Sequence, residues 1–202
     1  MQFTPADHAR IAAAIRSAER RTSGEIVCVL AHRSGEYGHM PALWSALFAL
    51  AAPWPMMALT HLSAQRIFLV QCAIFAGLLL VFSIDRIRML LVPRAVQRAR
   101  AHRAAVEQFH TRGLGRTAAR NSILIYVSLT EHYARIIADE GLDSRVEQGE
   151  WQKAVDALVA EIAEGRVAQG FIAAITLCAD VLALHYPPGD ETNHLPDRIY
   201  LV

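Results

Sequence analysis

The chain has 202 residues, with 20 basic and 19 acidic side chains, and 53% of it is hydrophobic. The near-balance of charge leaves no global basic excess of the kind that marks a nucleic-acid binder. So large an apolar share over so few charges requires somewhere to hide it, in a core or in lipid. The cysteines, Cys28, Cys72 and Cys178, are far apart and form no Cys-x-x-Cys pair. They read as small buried hydrophobes in a reducing compartment rather than as a disulfide framework. Met1–Arg21 is amphipathic and charged throughout, unlike the basic start and apolar run of an export signal.

Thr4-Pro5-Ala6-Asp7 opens a helix: Thr4 caps, Pro5 suits the first helical position and Asp7 favours the positive end of the dipole. Ile11, Ile15 and Ala18 recur on one face, and Thr22-Ser23-Gly24 ends the segment. Glu25–Ala31 is apolar on both alternating sets, the signature of a strand covered on both faces.

Two uncharged stretches follow, Ala42–Thr60 and Ile67–Ile84. Each matches a hydrocarbon core of roughly 30 Å at about 1.5 Å per helical residue. Only His61–Arg66 separates them, which predicts a two-helix transmembrane hairpin over 42–84. Pro53 and Pro55 kink its first helix, a break that membrane helices tolerate when a neighbour satisfies the freed backbone. Trp44 sits near an interface, and Trp54 and Phe75 belong to the lipid-facing surface. The connecting loop holds Arg66 alone, whereas Arg86, Arg88, Arg94, Arg98, Arg100 and Arg103 follow the second span. The positive-inside rule then predicts a multi-pass protein of the bacterial inner membrane, with both termini and the soluble domain in the cytoplasm. The basic run reads as a topology signal and a solvated helix face.

Pro93–Thr111 is amphipathic, with Val96, Ala99, Val106 and Phe109 as its expected buried face, and Gly113 and Gly115 end it. Asn121–Leu129 reads as a second doubly covered strand. After a turn at Thr130-Glu131, His132–Asp139 is rich in β-formers and is expected to pair antiparallel with it. A helix with Trp151, Val155, Leu158 and Ile162 follows. The next carries Phe171, Ile175, Cys178, Leu182 and His185 on its apolar face, with His185 a core or boundary residue. The tail from Pro187 is irregular, with a short terminal strand at Ile199–Val202. One helix and one strand cannot bury both strand faces alone. Residues 1–41 and 85–202 are therefore expected to form one α/β domain, a three-layer α/β/α sandwich on a small mixed sheet, interrupted by the hairpin. Both parts must then lie on the same side of the membrane, which a two-helix hairpin delivers.

Several segments carry a family resemblance: Thr22-Ser23-Gly24-Glu25-Ile26-Val27; Asn121 to Ser128; Ile136-Ile137-Ala138-Asp139-Glu140-Gly141; Trp151; His185-Tyr186-Pro187-Pro188; and Asn193-His194-Leu195-Pro196-Asp197. In this order they resemble the TPM domain, found in thylakoid-lumen photosystem-repair proteins and in many bacterial membrane proteins. The resemblance implies an α/β/α sandwich and, as in some members, phosphatase activity or divalent-cation binding. The chain departs from the commoner family layout in carrying a hairpin inside the domain and no signal.

Asp139, Glu140 and Asp143 follow a strand end, where ligands of open α/β sheets gather. Carboxylates there could hold Ca²⁺ or Mg²⁺, which take oxygen ligands, although Asp-Glu-Gly is also ordinary turn chemistry. Asp190, Glu191, Asn193 and Asp197 form an oxygen-rich tail without EF-hand spacing. Asp139, Asp143, Asp190 and Asp197 are thus the metal-site candidates. Glu25 is expected to be structural. Phosphate-loop, dinucleotide and nucleophile-elbow motifs are lacking, as is Cys/His zinc spacing. The expected function is a membrane-tethered binding or accessory module with a protein partner, tuned by Ca²⁺ or Mg²⁺ if by any cofactor. The alternative is a metal-assisted phosphatase acting near Asp139.

Overall fold

The computed structural model describes residues 3–35, 37–116, 120–143, 145–188 and 196–202, without the side chains at 116 and 143. In chain order the elements are α1 (Pro5–Glu19), β1 (Glu25–Ala31), α2 (His39–Ala51), α3 (Pro53–Leu59), α4 (Ala64–Phe82), α5 (Asp85–Leu91), α6 (Arg94–Thr111), β2 (Ser122–Ser128), β3 (Tyr133–Ala138), α7 (Glu140–Asp143), α8 (Gln148–Ala163), α9 (Val167–His185) and β4 (Ile199–Leu201). They fall into two compact units, Met1–Ser34 with Arg98–Val202, and Gly35–Gln97.

In the first unit α1 starts as its sequence dictates. Thr4 accepts from the Asp7 N–H while the Asp7 carboxylate accepts from the Thr4 N–H, a reciprocal capping box. Among the described residues four strands form one mixed sheet in the order β3-β2-β1-β4. β1 runs parallel to β2 and β4, and β2 and β3 are antiparallel. Every residue of β1 and β2 is buried, because helices cover both faces. On one face Ile26, Cys28, Leu30, Ile123, Ile125 and Val127 pack with α1, α8 and α9. On the other, Val27, Val29, Leu124 and Tyr126 meet Ala105 and Phe109 of α6 and Leu114 beyond it.

Two expectations are corrected here. The buried face of α6 is Ala101, Ala105 and Phe109, while Ala99 is exposed and Val96 and Val106 are half-buried. The helix meets the sheet through small residues, a choice of stripe that hydropathy alone does not rank. His185 is exposed in the last turn of α9, one position past the stripe that Phe171, Ile175, Cys178 and Leu182 carry into the core. α9 is long and apolar enough to cross a membrane, yet that stripe is spent inside the first unit. Gly170 marks its closest approach to α8, since a Cβ there would lie 2.8 Å from the Leu158 carbonyl oxygen.

In the second unit α2 and α4 pack against each other. α2 breaks at Ala52 before Pro53, as the proline pair requires. α4 has no buried residue. Its half-buried positions Ile67, Gln71, Ile74, Leu78, Leu79 and Phe82 lie on one side of the helix, and its other positions are exposed. Trp44 donates its indole N–H to the Leu91 carbonyl at 3.1 Å, and Phe48 lies 6.2 Å from both the Trp44 and the Phe82 rings. Pro53 opens α3, Trp54 is 77% exposed and Phe75 36%. His39–Leu59 and Ala64–Phe82 are each long and apolar enough to span a bilayer. Beyond them Arg88 pairs with Asp85 and Arg86 is exposed.

Candidate functional site

Asp139 follows β3 directly. Its N–H donates to the Ser122 carbonyl at 3.0 Å, and its Oδ1 accepts from the Glu140 N–H at 2.7 Å. Its Oδ2 is buried and, among the described residues, has no hydrogen-bond partner. A buried carboxylate oxygen left in that state is uncommon and costly. In register Glu25 lies beside Ser122. Glu25, Ser122 and Asp139 therefore form a row across three strands, on the sheet face that carries Val27, Leu124 and Ile137. A cleft of about 470 Å³ opens beside it, lined by Phe109, His110, Arg120, Asp139 and Glu140.

The loop entering β2 and the turn leaving β3 are tied together here. Arg120 pairs with Glu140 and takes a left-handed backbone at φ 46°. Gly141 lies against it so closely that a Cβ would come 2.5 Å from the Arg120 carbonyl oxygen. Glycine at 141 is thus a packing requirement, which explains the Asp-Glu-Gly sequence without invoking a ligand.

The mixed sheet changes the argument that singled Asp139 out. Asp139 is at the carboxyl end of β3, but β3 runs opposite to its neighbours. The residue therefore stands at the amino ends of β1, β2 and β4, whereas ligands of open α/β sheets bind outside the carboxyl ends. The carboxyl ends hold a different cleft, of about 440 Å³, bordered by Arg10, His32, Arg166 and Gln169. Its cations are engaged: Arg10 donates to Gln169 at 2.8 Å, and Arg166 pairs with Glu161 at 2.6 Å and with Glu164.

The other candidate positions are distributed as follows. The backbone of Asp143 closes α7, with its side chain outside the described residues. Asp190, with Glu191 and Asn193, lies outside the described residues altogether. Asp197 precedes β4 and faces Glu19, the last residue of α1. Among the described residues no group of three His, Cys, Asp or Glu side chains is arranged to hold a metal ion.

Sequence reasoning missed Glu19. Burial pushes its carboxyl up to about 8; an N–H···O bond from Ile26 pulls the other way, and a hydrogen bond with Asp197 and the charges of Asp197 and Glu25 raise it further. The Ile26 N–H donates to Glu19 Oε1 at 3.2 Å. The available signal was Glu25, a carboxylate opening a strand buried on both faces. Glu19 and Asp197 therefore meet as a hydrogen-bonded carboxyl pair between the end of α1 and the approach to β4.

A second polar knot sits at the opposite end of β2. Glu131 is 5% exposed. Both its oxygens accept from the Ser34 N–H at 3.1 Å, and the Ser128 hydroxyl donates to it. Ser34 also shares a 2.8 Å hydrogen bond with Tyr126, whose phenol burial pushes above its ordinary range. The knot pins the segment that leaves β1.

The family model described as the TPM domain matches residues 84–181. The matched stretch holds β2 and β3 but neither β1 nor β4, which complete the same sheet. The chain is similar to the NMR structure of the BA42 protein from the psychrophilic bacterium Bizionia argentinensis. That likeness has a TM-score of 0.63 at 20% identity, over 98% of this chain and 94% of the other, and at that identity it speaks for the fold alone. No curated protein matches the chain.

Proposed function

We propose that this chain, whose residues 84–181 belong to the TPM domain family, is a membrane-anchored binding module with its sheet domain on the cytoplasmic face of the inner membrane. The observation that carries the reading is α4: 19 residues of mean hydropathy 2.0, none of them buried. Phe68, Leu69 and Leu80 on α4 and Leu43, Leu50 and Leu59 on α2 and α3 are all more than half exposed. Surface of this kind is unfavourable in water by about 25 cal/mol per Å² and is at rest in lipid. The sheet supports an even number of crossings. β1 and β2 flank the second unit in sequence and pair side by side, so the chain returns to the side it left. β4 pairs with β1, which argues against a crossing by α9. The arginines after α4 then favour the cytoplasmic side.

The binding-module reading, with a protein as partner, rests on the site geometry. The carboxylates near Asp139 sit at the amino ends of the parallel strands, and Arg120 beside them is held by Glu140. The second reading, a metal-assisted phosphatase, is favoured by the buried Asp139 Oδ2, an oxygen that Ca²⁺ or Mg²⁺ could take. Two assays separate them. The chain should stay with the membrane pellet through an alkaline carbonate wash. The purified protein should show no phosphatase turnover with Ca²⁺ or Mg²⁺ that disappears in Asp139→Asn. Release by carbonate would sink the anchor, and metal-dependent turnover lost in the variant would install the phosphatase.

A further inference from the structure

Among the described residues the sheet of the first unit ends on β3, with no strand paired beyond it. The Asp139 N–H to Ser122 bond fixes the parity of the antiparallel ladder. Tyr133, Arg135 and Ile137 bond to β2, so the backbone N–H and C=O groups of Ala134, Ile136 and Ala138 point outward. An edge of six residues with two isoleucines and one charge is poorly guarded against pairing. Beside it runs a trough between β3 and α8. One part, of about 280 Å³, is floored by Trp151 and flanked by Gln152 and Val155; the next, of about 510 Å³, reaches Val159 and Ile162, and both share Tyr133 and Ala134. Gln152, Val155, Val159 and Ile162 form one helical stripe facing the edge, with Val159 46% exposed. On the other face of the strand, Arg135 is exposed, and among the described residues no carboxylate pairs with it.

We propose that this groove takes an extended peptide as a fifth strand on β3, its acidic side chains facing Arg135 and its small apolar ones facing the α8 stripe. The inference rests on the binding-module reading and names its site and the chemistry of its partner. Main-chain pairing to Ala134, Ile136 and Ala138 supplies affinity, and the alternation of side chains supplies selection. Arg135 chooses the sign of the partner. It also disfavours a second copy of this chain: a symmetric β3–β3 pairing centred on Ile136 makes the two Arg135 side chains diagonal neighbours about 7–8 Å apart on one face.

The test uses the full chain in nanodiscs of zwitterionic lipid and two fluorescent octapeptides, one alternating valine with glutamate and one alternating valine with lysine. Binding is read by anisotropy and located by amide hydrogen exchange. The glutamate peptide should bind, slow exchange at Ala134, Ile136 and Ala138, and exceed the lysine peptide by about tenfold in affinity. Arg135→Glu should reverse that order. Ala134→Pro, which an edge strand tolerates because the lost N–H faces outward, should weaken the glutamate peptide by about tenfold. Failure of the glutamate peptide to bind, equal binding of both peptides, or indifference to Ala134→Pro would each overturn the inference. Protection elsewhere on the first unit would overturn the groove and leave the binding-module reading standing; metal-dependent turnover lost in Asp139→Asn would remove that reading and the groove's role with it.

Discussion

Glu25 and Ser122 are register partners in adjacent parallel strands, although the whole of the unit Gly35–Gln97 lies between them in sequence. The pairing makes the unit an insertion into a sheet rather than a domain appended to one. Both flanks of the unit thus end on neighbouring parallel strands of one sheet.

The helix pair behind the sheet offers two contrasting glycine substitutions. A Cβ at Gly170 meets the Leu158 carbonyl oxygen at 2.8 Å, too close without separating α8 and α9. Gly170→Ala should destabilise by about 1–3 kcal/mol, overpacking outweighing the gain of about 1 kcal/mol in helix propensity. Gly149, near the start of α8, has nothing within 4 Å of its Cβ position. Gly149→Ala should raise stability by up to about 1 kcal/mol. Urea unfolding of the two variants in detergent tests the pair, and equal effects would contradict the contact.

Glu19 makes stability depend on pH. Its carboxyl is raised from 4.5 to about 8, so the folded state binds the proton more tightly than the unfolded one. Stability is then fully present below about 4.5 and falls as pH rises toward about 8. Glu19→Gln keeps an acceptor for the Ile26 N–H and a donor for Asp197. It should flatten that pH slope and stabilise the protein at pH 8. Denaturant midpoints across the range decide it, and an unchanged slope would contradict the assignment.

Glu131 closes the exit from β1 by accepting from Ser34 and Ser128. Glu131→Ala leaves a backbone N–H and a hydroxyl without that partner and should cost about 1.5–3 kcal/mol, the range for hydrogen bonds to a charged group. Faster amide exchange at Ser34 would accompany the loss. Wild-type stability and exchange in the variant would show that the knot is idle.

The fold was legible where period and burial agree. Glu25–Ala31 is apolar on both alternating sets and is β1 to the residue. The turn at Thr130-Glu131 joins two antiparallel strands, and Thr4 caps α1. Legibility stopped where the third dimension chooses among equals. On α6, Ala101 and Ala105 were chosen over Val96 and Ala99 because that stripe faces the sheet. The site was less legible than the fold. Asp139 stood out as a carboxylate after a strand, but only the antiparallel sense of β3 shows which end of the sheet it occupies. Glu19 and Asp197 carry no spacing signal, since their meeting depends on β4 returning beside β1.

The most direct measurement places a single cysteine at Ser63, between α3 and α4, in a Cys72→Ser background, since Cys28 and Cys178 are buried. A membrane-impermeant maleimide is applied to intact and lysed cells, beside a control with cysteine at the exposed Arg135. The account predicts labelling of position 63 from outside, and of position 135 only after lysis. Protection of position 63 in intact cells, or labelling of both sites from outside, would contradict the proposed anchor and its orientation.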